Sequence, residues 1–130
     1  MRIVLWILQV LLAALYVWHG LLYVAPPAEM IELINAMLAP GLRTFIGVAE
    51  LLAAVGLILP AATRILPWLT PLAAAGLMIV MASATVFHLS RGETANAIFA
   101  VVLFVLVTFV AYMRWKVYPI TPRQNIQLPA

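Results

Sequence analysis

Four long apolar runs divide the chain, and its charged residues collect mainly between and around them. The first extends from Ile3 to about Val24, and the second from about Thr44 to Leu59 or Thr63. The third extends from about Leu66 to Leu89 and the fourth from about Ala95 to Tyr112. Each reaches the roughly 17–25 residues that a helix needs to cross a bilayer core, the second, which is the shortest, only if it continues past Leu59. Pro60 marks the expected stop of the second helix. Pro67 and Pro71 fall in the first turns of the third, where a missing N–H does least harm. The first run has the position of a signal peptide, but its apolar length exceeds the usual ~7–15 residues and no clear A-x-A site follows. A retained helix is expected there.

Residues 25–42 form the one long connection. Within it, Pro27 and Glu29 open a segment in which Met30, Ile31, Ile34, Met37 and Leu38 recur at helical spacing. Glu29, Glu32 and Asn35 stand off that stripe. The pattern predicts a short helix lying in the membrane interface or capping the bundle. Residues 1–115 thus read as an all-α membrane domain, a four-transmembrane-helix bundle with an interfacial helix between the first two spans. The tail, 116–130, contains Pro119, Pro122 and Pro129, has no periodicity, and is expected to be extended or mobile.

Composition narrows the class further. The chain is 67% hydrophobic and 8% charged, with a mean hydropathy of +1.16. An ordinary soluble domain is roughly 45–50% apolar and about 25% charged. Cysteine is absent, which excludes disulfides, thiolate metal sites, iron–sulfur ligation and thiol redox chemistry. The net charge of +3 comes from residues that flank apolar segments, the pattern of membrane orientation rather than of nucleic-acid binding. Of the seven Lys and Arg residues, Arg2, Arg64, Arg114, Lys116 and Arg123 fall on the side of the termini. Arg43 and Arg91 fall on the other, with Glu29, Glu32 and Glu93. That asymmetry predicts both termini in the cytoplasm. Trp6, Trp68 and Trp115 mark the inner interface, and Trp18, Tyr23 and Phe45 the outer one.

Small residues indicate which faces pack. Gly47 and Ala54 share a face of the second span, and Ala49, Ala53 and Gly56 share another. With Ala73 to Gly76, Ala82 and Ala84 in the third span, these faces are expected to be buried.

The candidate chemistry centres on Glu50, inside FIGVAELLAAVGLIL. A carboxylate there costs roughly 2.5–3.5 kcal/mol on insertion scales. Arg43, Gly47, Glu50 and Ala54 are spaced 4, 3 and 4 apart and so share one helical face. Glu50 is about 10 Å below the outer boundary and His19 at similar depth, with His88 about 3 Å below it. Arg91, Glu93 and Asn96 line the connection above. The inner half has only Gln9, Ser83 and Thr108 to compare. Two readings follow: an outward-opening site built on Glu50, His19 and His88, or a satisfied network in which Glu50 pairs with Arg43 or a histidine and pins the helices. Two histidines and a carboxylate match zinc or non-haem iron by type. None is spaced i, i+3 or i+4 from another, so neither a metal nor a haem is expected.

R-T-F-I-G-V-A-E at 43–50, G-L-I-L-P at 56–60, P-L-A-A-A-G-L at 71–77 and M-A-S-A-T-V-F-H-L-S-R-G-E at 81–93 resemble the DoxX-like family of small four-helix membrane proteins. Some proteins of that type carry a lysine after the first-span glycine; here His19 precedes Gly20 and no lysine follows. The resemblance implies a multi-pass protein of the bacterial inner membrane, near quinone-linked redox chemistry. Its family names derive from subunits of terminal quinol oxidase and thiosulfate–quinone oxidoreductase systems. It supplies no catalytic residue. One functional reading is a redox-associated protein that binds a quinone or similar amphipathic molecule beside Glu50. The alternative is a small-solute or proton pathway, or a scaffold for a membrane partner subunit or a second copy. Either way the lipid bilayer is the surrounding partner.

Overall fold

A computed structural model describes residues 1–124 of the chain. Its elements run α1 (Arg2–Val24), α2 (Ala28–Met37), α3 (Pro40–Thr63), α4 (Leu69–Ser90) and α5 (Thr94–Tyr112), followed by a π-helical turn (Met113–Val117). Four of these helices, α1, α3, α4 and α5 with its π turn, are long and apolar enough to cross a membrane. In lipid every backbone N–H and C=O must be satisfied within the protein, and helices do this segment by segment.

The bundle is ordered α1–α3–α4–α5, and α5 closes loosely against α1. Each helix turns one stripe inward. On α1 it is Leu5, Gln9, Leu12, Tyr16 and Gly20; on α3 it is Arg43, Gly47, Glu50, Ala54 and Leu57. Leu77 and Met81 of α4 and Leu103, Val107 and Val110 of α5 complete the core. The start of α1, residues 113–124 and the α3–α4 connection share one end of the bundle. There Arg114 reaches Gln9, and the backbone N–H of Arg123 donates to the carbonyl of Arg64 at 2.8 Å.

Helix boundaries depart from expectation where backbone chemistry intervenes. Pro60 does not stop α3, which continues to Thr63. Proline removes only its own N–H bond, and one turn remains beyond it, which Thr63 Oγ1 ties back to the Leu59 carbonyl at 2.7 Å. The next helix starts at Leu69 rather than Leu66, because Arg64 and Leu66 adopt left-handed φ of 60° and 48° that no α-helix continues.

The small residues divide into two groups. Gly47, Ala54 and Ala74 are buried as expected. Ala49, Ala53, Gly56 and Ala73 are only half-buried, and Gly76 and Ala82 are exposed. Helices α3 and α4 touch at Gly56, where an added methyl would lie 2.7 Å from Ala73 Cβ. Beside that contact they leave an apolar groove of about 440 Å³ rather than a sealed seam.

Segment 28–38 is helical up to Met37, as its stripe predicts, and has no buried residue. It stops because Leu38 and Ala39 are extended before Pro40. Met30 and Ile31 are exposed while Ile34, Met37 and Leu38 are half-buried, so the apolar side of α2 is only partly covered. In the tail, residues 118–124 have no regular structure but are tied down. Arg64 Nε donates to the Thr121 carbonyl at 2.9 Å and Nη2 to that of Pro122 at 3.4 Å. The remainder of the expected mobile segment, 125–130, lies outside the described residues.

Candidate functional site

Helices α1 and α3 touch backbone to backbone at Gly20 and Gly47. A methyl on either glycine would lie 2.9 Å from the carbonyl oxygen of the other. His19 is the neighbour of Gly20 in sequence, and Glu50 lies one helical turn beyond Gly47. The close approach therefore brings these two side chains together. His19 Nδ1 and Glu50 Oε2 are 2.7 Å apart.

The pair is lopsided in exposure. Glu50 is 1% exposed, whereas the His19 side chain is 38% exposed. A proton is shared between the ring nitrogen and the carboxylate oxygen at this distance, and of the two groups only the His19 ring reaches the surface of the bundle. Tyr23 stacks on the His19 ring with centroids 4.5 Å apart. The hydroxyl of Tyr16, one turn before His19 on the same helix, is buried and has no hydrogen-bond partner.

Arg43 is placed near this site but does not pair with Glu50. It is buried and donates through Nη1 to the Tyr23 carbonyl at 3.0 Å, while its Nε has no partner. Tyr23 is in the last turn of α1, whose carbonyls have no partner within the helix. A cation there satisfies one of them and faces the negative end of the helix dipole.

His88, Arg91 and Glu93 form a second cluster at the α4–α5 connection. Gly92, at φ 73°, lets the chain leave α4 in a Schellman cap: Glu93 N–H donates to the His88 carbonyl and Gly92 N–H to that of Leu89. The same turn carries the Glu93 carboxylate back to His88 Nδ1 at 2.6 Å and to Arg91 Nε at 3.0 Å. The hydrogen bond from His88 and then that from Arg91 hold the Glu93 carboxyl below the usual carboxylate range. R-G-E is thus a helix terminator with its own ion-pair network. Of the three partners considered for Glu50, only His19 bonds it; His88 is committed to Glu93. Among the described residues no three histidine or acidic side chains converge as a metal site would require.

The family model described as DoxX-like matches residues 7–110. The chain belongs to the DoxX-like family. The match spans His19, Glu50 and the whole Schellman cap of this DoxX-like protein, and it ends before Arg114. No curated protein and no solved structure matches the chain.

Several polar residues have larger roles than their sequence context indicated. Arg114, counted by its position among the basic residues on the side of the termini, is 5% exposed, and Gln9 is 0% exposed. Tyr16 and Tyr23 flank His19 at helical spacing. That spacing was the available signal, since Gln9 and Tyr16 share a stripe with Leu5, Leu12 and Gly20.

Proposed function

We propose that this protein is a redox-associated membrane subunit that holds a quinone or similar amphipathic molecule against the Glu50–His19 pair. The observation that carries this reading is a fully buried carboxylate bonded at 2.7 Å to a half-exposed histidine. A quinone headgroup needs a hydrogen-bond donor for its carbonyl and, on reduction by two electrons, two protons. His19 offers the donor, and Glu50 is a proton reservoir behind it. Electrons would come from a partner membrane subunit. Family membership supports the quinone-linked context, and Tyr23 supplies an aromatic face beside the donor.

A solute or proton path through the bilayer has weaker support. Leu12, Leu57, Leu77 and Val107 fill the core between Glu50 and the end that carries the termini. In the proposed orientation, with the termini in the cytoplasm, the Glu50 end opens outward.

The test is to purify the protein from quinone-containing membranes and identify extracted small molecules by mass spectrometry. Wild-type protein is expected to retain quinone. Glu50→Gln is expected to lose it while the helices stay folded, because the amide keeps a polar contact to His19. Absence of quinone from the wild-type protein, or equal retention by both, refutes the reading.

A further inference from the structure

At the opposite end from Glu50, Arg114 is a buried cation without a counter-charge among the described residues. It is only 5% exposed, inside the π-helical turn that ends α5. Nε donates to Gln9 Oε1 at 2.6 Å, and Gln9 is fixed in turn by its own bond to the Leu57 carbonyl at 2.7 Å. The Trp6 ring lies 5.2 Å from the guanidinium carbon. Nη1 has only a long contact to the Tyr118 carbonyl, 3.4 Å, and the buried Nη2 has no partner.

The chain's four acidic residues are all engaged or placed elsewhere. Glu50 and Glu93 serve the pairs already described, and Glu29 and Glu32 are on α2 at the far end. Burying a guanidinium costs several kcal/mol unless an anion accompanies it. The surroundings here are cationic instead. Arg2 lies 5.5 Å over the ring of Tyr118, and Lys116 is exposed in the same turn as Arg114.

We infer that this end of the bundle binds the phosphate of an anionic lipid headgroup, with Arg114 as the central donor, Arg2 beside it and Lys116 adding positive charge at the same end of the bundle. A phosphodiester is the anion that every phospholipid leaflet presents at the depth of helix ends. It offers two oxygens to the planar fork of an arginine. The 3.4 Å contact to Tyr118 is the bond a phosphate oxygen would replace at Nη1, and the segment from Tyr118 onward must swing aside for a second oxygen to reach the buried Nη2. Gln9 and Trp6 hold the guanidinium while that exchange occurs. Basic pockets at the ends of membrane helices recognise anionic headgroups in this way.

The full-length protein in nanodiscs or mixed micelles provides the test, with phosphatidylglycerol and phosphatidylcholine as probes. Native mass spectrometry is expected to show phosphatidylglycerol retained about tenfold or more over phosphatidylcholine, with a matching rise in melting temperature. Arg114→Gln should abolish the preference and Arg114→Lys should weaken it, since lysine lacks the fork. Arg2→Gln with Lys116→Gln, at exposed positions, should reduce it only in part and keeps the test available if Arg114→Gln does not fold. A preference unchanged in Arg114→Gln overturns the site. So does a preference wholly lost in the Arg2/Lys116 double variant, which would mark diffuse surface attraction. If inorganic phosphate alone stabilises the protein as much as phosphatidylglycerol, the lipid assignment is overturned.

Discussion

Glu50 and Glu93 are both bonded to a histidine, and their surroundings give them different consequences. Glu50 is buried in the α1–α3 contact, where removing one partner strands the other. A double-mutant cycle with His19→Ala and Glu50→Ala should return a coupling of about 1 kcal/mol, limited because His19 is partly exposed. Chemical unfolding in detergent measures it, and a coupling of zero would mean that the pair contributes nothing to the fold. Glu93 lies at the α4–α5 turn, with its carboxyl held below the usual range first by His88 and then by Arg91. A lowered native pKa stabilises the fold above the unfolded value of about 4.3 and is lost as pH falls through the native value. Glu93→Gln should therefore melt below wild type at pH 7, with the difference closing as pH falls through the lowered native pKa of Glu93. Melting curves across that range decide it.

Among whole elements, glycine placement separates two kinds of helix contact. At Gly47 an added methyl meets the Gly20 carbonyl and Tyr23 Cβ at 2.9 Å and Val24 Cγ2 at 2.8 Å, and the carbonyl is backbone that cannot swing aside. Gly47→Ala should cost about 1–3 kcal/mol and push His19 away from Glu50. Gly76 has nothing within 4 Å of its would-be Cβ. Replacing it with alanine should stabilise α4 by roughly 0.5–1 kcal/mol, since only the backbone freedom of glycine is lost. Thermal unfolding of the two variants side by side tests this distinction between close backbone contact at Gly47 and open space at Gly76. Equal effects would remove it.

For the molecule as a whole, charge is polarised along the bundle axis. Arg2, Arg64, Arg114, Lys116 and Arg123 share the face of the termini, while α2 and the α4–α5 connection carry Glu29, Glu32 and Glu93. The bias toward basic residues on the cytoplasmic side leads us to expect both termini there. A phosphatase reporter that works only in the periplasm, fused after Ala130, should stay inactive; activity would reverse the orientation and place the Glu50 end inward.

The apolar runs alone determined that there are four spans and a short helix between the first two, because lipid leaves the backbone no alternative to internal hydrogen bonding. Spacing alone also put Arg43, Gly47, Glu50 and Ala54 on one inward face, since 3.6 residues per turn fixes which side chains align. Partners were a different matter. His19, Arg43 and His88 were all candidates for Glu50 at depths several ångströms apart, and the backbone contact of Gly20 with Gly47 singled out His19. The left-handed turn at Gly92 withdrew His88 to Glu93, a local choice that hydropathy does not encode. Arg114 had the sequence position of an ordinary interfacial anchor. Its burial depends on Gln9, more than a hundred residues away in the chain, and on a π turn that rotates it inward. Periodicity assigns a residue to a face of its own helix; what that face meets depends on how the helices cross.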